Sequence, residues 1–346
     1  MNLLQPKKMN ISYRLLKLNR LIKNHRIKLF GIWILHIFKL RHLNVNLDPT
    51  LACNIRCKMC YFSDPNNVVE NSKKLTIAEI QRIASFVFSQ TIKLQIGSAA
   101  EPTVSKHFVE IVEMAKNKYH IPDVSMSSNG NLLNKSTIAA LIDAGLDEII
   151  LSMHGVHRKT YEFFMKHASY DKFMETLGLF EQLKKEKKKD KPQIRINYTV
   201  NEDNLADLND FFEVMSKFSI STLQIRPIRE LGNSEYHNFS IENKIPEFKK
   251  IVETLKIQCK QHKVLLMSPD LDNLASDEAN TSSLIMDAVY RYISPDLFWE
   301  RNYDWTKLTY YQYCRKIGWG KQLMKYSVMP TKKLATTKHH LNYDIG

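Results

Sequence analysis

Short segments in which apolar and polar residues alternate recur along this chain, and longer segments with helical spacing separate them. Alternation is typical of strands, whereas apolar residues at every third or fourth position are typical of helices. The alternating segments predict strands at residues 42–47, 92–96, 123–127, 194–200 and 222–226, and the apolar run at 148–151 predicts a buried strand. The helical spacing predicts helices at residues 76–90, 106–117, 136–144, 170–184 and 205–217. Repeated strand–helix units predict a parallel α/β sheet, and both a doubly wound sheet and a partial barrel fit this pattern.

Composition is that of an ordinary globular protein. Of the 346 residues, 44% are hydrophobic and 25% are charged, which excludes a disordered or fibrous chain. The five cysteines do not form the even, dispersed set of a secreted disulfide framework, because three of them are neighbours. We therefore expect a protein of the reducing cytoplasm.

Positive charge is concentrated at the amino terminus. The net charge is +14, yet residues 1–47 contain ten Lys and Arg and no Asp or Glu. Apolar residues there recur at helical spacing, at Leu15, Leu18, Ile22, Leu29, Ile32 and Trp33. The pattern predicts a basic amphipathic helical arm over residues 1–41.

Three roles for this arm stay open. These roles are a lid packed on the domain, a helix bound to an anionic membrane surface, and a site for nucleic-acid phosphates. The last is least favoured, because the chain has no recognisable RNA-binding module. The apolar run 29–38 is interrupted by Gly31 and His36 and is too short to span a bilayer. If the arm binds lipid, the protein is peripheral at the inner face of the membrane.

The first predicted strand leads into a loop that carries Cys53, Cys57 and Cys60. Three thiolates from one short loop are soft ligands that suit an iron–sulfur cluster, and they are one short of the usual four. The remaining iron would be open to a substrate. Two alternatives are a structural zinc site with His42 as fourth ligand and three cysteines that are neighbours by chance.

With Asn54 after the first cysteine and Thr50 before it, this loop resembles that of the radical S-adenosylmethionine (SAM) enzymes. The resemblance implies a partial (β/α)6 barrel of the TIM type and a [4Fe–4S] cluster on the three cysteines. It also implies reductive cleavage of SAM, hydrogen-atom abstraction from a substrate, and a reductant protein such as flavodoxin or ferredoxin. Met59 stands where the family commonly has an aromatic residue against adenine, and Met can pack in the same way.

Three further strand ends carry the resemblance and imply contacts to SAM. The segment Gly97–Thr103 is similar to the family's glycine-rich stretch, so backbone carbonyls of Ala99 and Ala100 and the Glu101 side chain are expected to bind the amino group. The other implied contacts are Ser128 and Asn129 to the ribose or to the loop, Ser152 to the ribose or carboxylate, and Lys166 to the carboxylate. His154 occupies a position that varies within the family. Two roles stay open for it, a proton donor and a structural histidine.

The C-terminal third has fewer sequence motifs that indicate a fold or a function. Residues 245–262 predict a helix and 264–267 a strand, and Cys259 is expected to be a small core residue. Residues 311–319 resemble the entry to the SPASM extension of peptide-modifying radical SAM enzymes. Cys314 is the last cysteine, and Thr331 stands where such a domain often has its next one. The extension is therefore degenerate or incomplete. We expect an arm at 1–41, a radical SAM core at 42–235 and a C-terminal extension at 236–346.

The favoured function is hydrogen abstraction by a radical SAM enzyme. A peptide or protein substrate is favoured by the SPASM-like region, over a lipid-linked or small anionic molecule. Two rival classes remain: a non-catalytic metal-binding module, and a membrane-surface or nucleic-acid-binding protein led by the basic arm.

Overall fold

The computed structural model describes residues 24–70, 73–228, 232–239, 241–269, 282–296, 307–330 and 343–345, and the single positions 14, 18, 21 and 22. The strands are β1 Leu43–Leu47, β2 Arg56–Cys57, β3 Thr91–Ile96, β4 Asp123–Ser128, β5 Glu148–Met153, β6 Met165–Lys166, β7 Gln193–Val200, β8 Ile220–Pro227, β9 Leu265–Pro269, β10 Tyr290–Ile293 and β11 Tyr343–Ile345. The helices are α1 His25–Ile37, α2 Pro65–Glu70, α3 Ile77–Val87, α4 Phe108–Glu113, α5 Lys135–Asp143, α6 Arg158–Phe164, α7 Tyr170–Glu186, α8 Phe211–Met215, α9 Ile245–His262, α10 Ser282–Val289, α11 Tyr310–Lys316 and α12 Trp319–Val328.

Nine strands form one sheet in the order β10-β1-β3-β4-β5-β7-β8-β9-β11. Every neighbouring pair is parallel except β9 and β11, which are antiparallel. The strands β2 and β6 form a separate antiparallel pair. The predicted mostly parallel α/β architecture is confirmed, and all seven predicted strands are present within two residues at either end.

The two faces of the sheet differ in chemistry because the side chains alternate. One face is fully apolar and packs in the main core with the helices; its members include Val45, Leu94, Met126, Leu151, Ile196 and Ile225. The opposite face is largely polar and partly accessible to solvent. Its half-buried members include Asn46, Gln95, Ser127, Ser152, Asn197 and Thr199. A polar, partly accessible face suits ligands that form hydrogen bonds.

Some elements differ from the sequence prediction. The helix expected at 106–117 is α-helical only over α4 and continues as a π-helix over Met114–Lys118. The one expected at 205–217 begins as a 3₁₀-helix, Leu205–Asp210, and continues as α8. The strand β10 was not predicted, because four residues that directly follow a helix give little periodic signal.

The C-terminal third belongs to the same sheet as the core. It supplies β9 beside β8, β10 beside β1 and β11 beside β9. The predicted boundaries at 41 and 235 remain predictions, although the sheet continues across the second of them. The SPASM-like region forms α11 and the start of α12, and its assignment also remains a prediction; Thr331 lies outside the described residues.

The described part of the arm packs with two C-terminal helices. Asn24 caps α1 by accepting a hydrogen bond from the backbone N–H of Arg26 at 2.9 Å. Leu29 and Ile32 form a small apolar cluster with Ala288 of α10 and Leu323 of α12. This packing supports the lid interpretation for the face of α1 that carries Leu29 and Ile32. Leu15 lies outside the described residues, and no helix among those described is long and apolar enough to cross a membrane.

Gly155 and Gly178 offer a matched pair of substitutions that tests the packing between β5 and α6. A Cβ at Gly155 would lie 2.3 Å from the backbone nitrogen of Tyr161, whereas one at Gly178 within α7 would meet nothing within 4 Å. We expect Gly155→Ala to lower the free energy of unfolding by about 2 kcal/mol through overpacking. Gly178→Ala should raise it by about 0.5–1 kcal/mol, because Ala is the better helix former. Urea denaturation measures both, and equal midpoints would contradict the close approach at Gly155.

Candidate functional site

The predicted site residues come from loops at one edge of the sheet. In a parallel sheet the carboxyl ends of the strands meet at the same edge. The cysteine loop follows β1, the Gly97–Thr103 segment follows β3, and Ser128 and Asn129 lie at the end of β4. Ser152 lies near the end of β5. Thus four neighbouring strands contribute to this carboxyl edge.

Local hydrogen bonds hold the cysteine loop in shape. The short strand β2 pairs with β6, so Cys57 lies opposite Met165. The Arg56 guanidinium donates to the carbonyl oxygens of Cys53 and Ile55, both at 2.8 Å. The N–H of Lys58 donates to the carbonyl of Phe164 at 2.8 Å. The loop therefore has a defined backbone path that presents three thiols.

The three thiols are half-buried, unbonded to one another, and close enough to influence one another electrostatically. Burial, together with smaller contributions from the charges of Glu101 and Cys60, raises the pKa of Cys53 to about 12. Burial also raises the pKa of Cys57 and of Cys60. Three adjacent thiolates are thus costly here without compensating positive charge, which iron would supply. The soft donor set fits an iron–sulfur cluster.

Glu101 is buried and is the centre of a hydrogen-bond network at the carboxyl edge. Its Oε1 accepts from the hydroxyls of Ser128 at 2.8 Å and Thr103 at 2.5 Å, and from the N–H of Thr103 at 3.2 Å. Its Oε2 accepts from the N–H of Asn129 at 2.8 Å. Burial raises the pKa of Glu101, and these donors oppose that rise. The structure therefore brings together three of the predicted residues, Glu101, Ser128 and Asn129.

Two further bonds join this network to the cysteine loop. The side-chain amide of Asn129 donates to the side-chain oxygen of Asn54 at 2.8 Å. The N–H of Glu101 donates to the carbonyl of Ala52 at 3.1 Å. The cysteine loop and the ends of β3 and β4 are consequently fixed relative to one another.

Asp48 was not predicted from the sequence, and it holds the segment that contains Ala99 and Ala100. It is fully buried at the end of β1. Its oxygens accept from the N–H of Ser98 at 2.7 Å, from the N–H of Ala99 at 3.0 Å, and from the hydroxyl of Tyr292 at 2.7 Å. An acidic residue directly after a buried strand was the signal that could have found it. Tyr292 on β10 could not be found in this way, because it is distant in sequence.

The hydroxyl of Tyr61 donates to the carbonyl of Ala99 at 2.9 Å. One predicted SAM contact is thus already a hydrogen-bond acceptor within the protein. A carbonyl oxygen has two lone pairs, so it can accept a second donor.

Residues 232–239 lie against the cysteine loop and were also missed. The N–H of Tyr236 donates to the carbonyl of Lys58 at 3.0 Å, and the N–H of Glu235 donates to the hydroxyl of Ser63 at 2.8 Å. Tyr236 and Phe239 pack against a small apolar cluster of Met59, Phe164 and Ile228. Met59, predicted to pack against adenine, is buried in this cluster and accepts a hydrogen bond from Asn201 at 2.8 Å.

Lys166 forms an ion pair with Glu235 at 2.5 Å, so part of its binding capacity is used within the protein. Its position on β6 beside Arg56 still places it at the cysteine loop. Ser152 lies in register with Asn197 of β7 on the polar face.

His154 follows β5, and its Nδ1 is buried without a hydrogen-bond partner among the described residues. Burial, together with a smaller contribution from the positive charge of Arg226, lowers the pKa of His154 to about 4. The imidazole is therefore neutral at pH 7. A structural or hydrogen-bonding role fits this state better than that of a cationic proton donor.

His42 does not lie with the cysteines. It precedes β1, whereas the cysteine loop follows it, so the two are at opposite edges of the sheet. Its Nδ1 bonds the carbonyl of Leu40 at 2.7 Å, and its ring packs edge-on against His36 at 5.6 Å. The zinc site with His42 as fourth ligand was therefore wrong. Among the described residues, no three His, Cys, Asp or Glu side chains are arranged to hold a single metal ion.

Comparison with known proteins shows which family this chain resembles. The profile of the Radical SAM superfamily matches residues 47–190. A probable GTP 3′,8-cyclase of Saccharolobus solfataricus is 26% identical over 221 residues, which cover 62% of this chain and 66% of that protein. Molybdenum cofactor biosynthesis protein 1 of Drosophila melanogaster is 26% identical over 174 residues, half of this chain but only 30% of that protein.

Two solved structures share the fold at low sequence identity. The protein anSMEcpe, with bound AdoMet and the Cp18Cys peptide, has a TM-score of 0.58 at 14% identity, covering 84% of each chain. SuiB of Streptococcus suis, bound to precursor peptide SuiA, has a TM-score of 0.55 at 14% identity, covering 76% of this chain and 60% of that one.

These findings agree with the sequence motifs and with the geometry of the carboxyl edge. Radical SAM proteins bind a [4Fe–4S] cluster and SAM, and the donors described above suit both groups. Residues 47–190 of this chain therefore resemble the radical SAM superfamily.

Proposed function

We propose that this protein is a radical SAM enzyme that holds a [4Fe–4S] cluster on Cys53, Cys57 and Cys60. The observation that carries the proposal is the linkage of the cysteine loop to the buried Glu101 through Asn54, Asn129 and the carbonyl of Ala52. When bound, the cluster and SAM together supply an electron and a carbon-centred radical that removes a hydrogen atom from an unactivated C–H bond. An electron donor such as flavodoxin or ferredoxin is the implied partner.

Glu101 is proposed to receive the amino group of SAM. It is a buried carboxylate whose described partners are neutral donors: Ser128, Thr103 and the N–H of Asn129. A buried charge without a counter-charge is costly, so an ammonium group at this position would be favourable. The carbonyls of Ala99 and Ala100 would accept the remaining N–H groups. Ser128 and Asn129 then act as positioning residues through Glu101, rather than as ribose contacts.

Lys166 and Ser152 are proposed to bind the carboxylate or ribose of SAM, and Met59 the adenine side. For Lys166 the ion pair with Glu235 would have to be shared or exchanged. The apolar cluster around Met59, against which Tyr236 packs, would exclude water from the adenine side of the site. Exclusion of water protects reactive species from side reactions.

A peptide or protein remains the favoured substrate. Both structural neighbours named above contain a peptide, and anSMEcpe matches most of this chain. The support is a shared fold with peptide-bound proteins, together with the SPASM-like residues 311–319.

A small anionic substrate, such as a purine nucleotide, is a second candidate. Arg226 lies exposed near the end of β8 on the polar face and joins none of the ion pairs described here. It lies in register with Thr199 of β7. An arginine in that place suits a phosphate group, and the archaeal relative is named as a GTP cyclase.

Removing the cysteines tests cluster binding. Cys53→Ala, Cys57→Ala and Cys60→Ala should each abolish cluster assembly and SAM cleavage, because three ligands are already fewer than the usual four. Iron content after anaerobic reconstitution and formation of 5′-deoxyadenosine with dithionite measure the two properties. Cys259→Ala and Cys314→Ala, which alter buried cysteines elsewhere, are the matched controls and should retain both. A triple variant that still binds about four irons would refute the assignment.

Glu101→Gln tests the ammonium site. The variant should bind SAM about 10- to 100-fold more weakly, because a charge-assisted hydrogen bond contributes about 1.5–3 kcal/mol. Its iron content should be unchanged, and calorimetry on the reconstituted protein gives the affinity. Glu148→Gln is the matched control: Glu148 is equally buried, lies at the start of β5 and pairs with Arg195. That control should lose stability but keep its affinity for SAM. A folded Glu101→Gln protein with native affinity for SAM would show that the Gly97–Thr103 segment has a purely structural role.

Arg226→Gln distinguishes the two substrate classes. If the substrate is a nucleotide, the native protein should bind GTP, and the variant should bind it at least tenfold more weakly through loss of a charged hydrogen bond. Arg315→Gln, which alters an exposed arginine of α11, should leave GTP binding unchanged. Equilibrium dialysis with GTP is sufficient, and a native protein that binds no GTP favours the peptide.

A further inference from the structure

Helix α1 has two apolar stripes, and only one of them is packed. The first contains Leu29, Ile32 and His36, which are buried. The second contains Ile27, Phe30, Ile34 and Ile37, at spacings of three, four and three residues. In that stripe Ile27 is 58% exposed, Phe30 43% and Ile37 50%. An amphipathic helix packed on a domain needs only one such stripe.

The exposed stripe is continuous with a row on α12. The two helices are antiparallel, because His25 bonds the carbonyl of Met329 at 3.5 Å and a Cβ at Gly320 would lie 3.3 Å from Ile37. Gly320, Met324 and Val328 follow at intervals of four and share one face of α12. Met324 is 39% exposed and Val328 63%. Phe38 and Leu40, directly after α1, are 70% and 51% exposed.

We call these residues the α1–α12 surface: Ile27, Phe30, Ile34, Ile37, Phe38, Leu40, Met324 and Val328. Scattered exposed apolar residues are normal, but a contiguous set indicates an interaction site.

Charges around the α1–α12 surface are of one sign. Neither residues 24–42 nor residues 307–330 contain Asp or Glu. Exposed cations there include Arg26, Lys39, Arg315, Lys316, Lys321 and Lys325, and none of these six joins an ion pair named above. Asp287 on α10 is the one acidic residue among the three packed helices that the structure describes. Arg41 does not belong to this set, because its guanidinium donates to the carbonyls of Phe88, Thr91 and Tyr119.

We propose that the α1–α12 surface binds an anionic lipid bilayer. Apolar side chains flanked by Lys and Arg are the pattern of a helix that lies in the membrane interface. The aromatic rings of Phe30 and Phe38 and the aliphatic row would enter the headgroup boundary, and the cations would meet lipid phosphates. Nucleic-acid phosphates would explain the cations but leave the apolar row without a partner. The inference is independent of the chemistry at the cysteine loop.

Vesicle flotation with the full chain tests the proposal. The native protein should bind vesicles of phosphatidylglycerol and phosphatidylcholine and not vesicles of phosphatidylcholine alone, and salt should weaken the binding. Phe30→Ser with Phe38→Ser should weaken binding at least tenfold, and so should Lys39→Gln, Lys321→Gln and Lys325→Gln combined. Circular dichroism and the urea midpoint show that each variant is folded.

Two control variants have matched chemistry outside the surface. Ile257→Ser removes an apolar side chain on α9 that is 62% exposed. Lys135→Gln, Lys172→Gln and Lys260→Gln together remove three exposed lysines elsewhere. Both should bind vesicles as the native protein does. Three results would each overturn the proposal: no native binding to anionic vesicles, folded surface variants that bind normally, or a native dimer that the phenylalanine variant converts to monomers.

Discussion

The buried carboxylate of Glu101 is the constraint on which the candidate site depends. A carboxylate removed from water must keep its hydrogen bonds, because each lost donor leaves part of a buried charge unsatisfied. Its donors come from the end of β4 and from its own loop, and its backbone N–H reaches the residue before Cys53. Three loops from neighbouring strands are therefore fixed by one residue, through its carboxylate and its backbone N–H. The cysteine loop, which has little regular structure of its own, takes its position from this network.

Asp48 has the same role on the other side of the cysteine loop. It joins β1 to the loop after β3 and, through Tyr292, to β10 from the C-terminal third. The site is thus stabilised by residues nearly 250 positions apart. This bond links the integrity of the site to β10, which comes from a region that carries little recognisable motif.

Much of the fold could be predicted from the sequence, because the period of two and the period of 3.6 are local signals. The strands β1, β3, β4, β7 and β8 were found from their alternation, and β5 and β9 from short apolar runs. What could not be predicted depends on contacts between distant residues. Asp48 becomes a loop anchor only when β3 and β10 flank β1, and the packing of 232–239 on Met59 has no sequence period.

His42 illustrates the limit of spacing arguments. It is eleven residues before Cys53 and resembles a zinc ligand by residue type. The intervening strand carries the chain from one edge of the sheet to the other, which places His42 among His36 and Tyr310 instead. Lys166 shows a related effect, since its partner Glu235 comes from a segment whose fold has no local signal.

A parallel sheet has two chemically different ends, and this chain assigns a different task to each. The helices α1, α11 and α12 gather where β1 begins, whereas the cysteine loop lies where β1 ends. The length of a strand, about 16 Å for five residues, separates them. Attachment of the protein to a solid support through Lys39, Lys321 or Lys325 would consequently orient every molecule with its cysteine loop directed into solution. Such a layer would keep the cysteine loop accessible to electron carriers and to large macromolecules in solution.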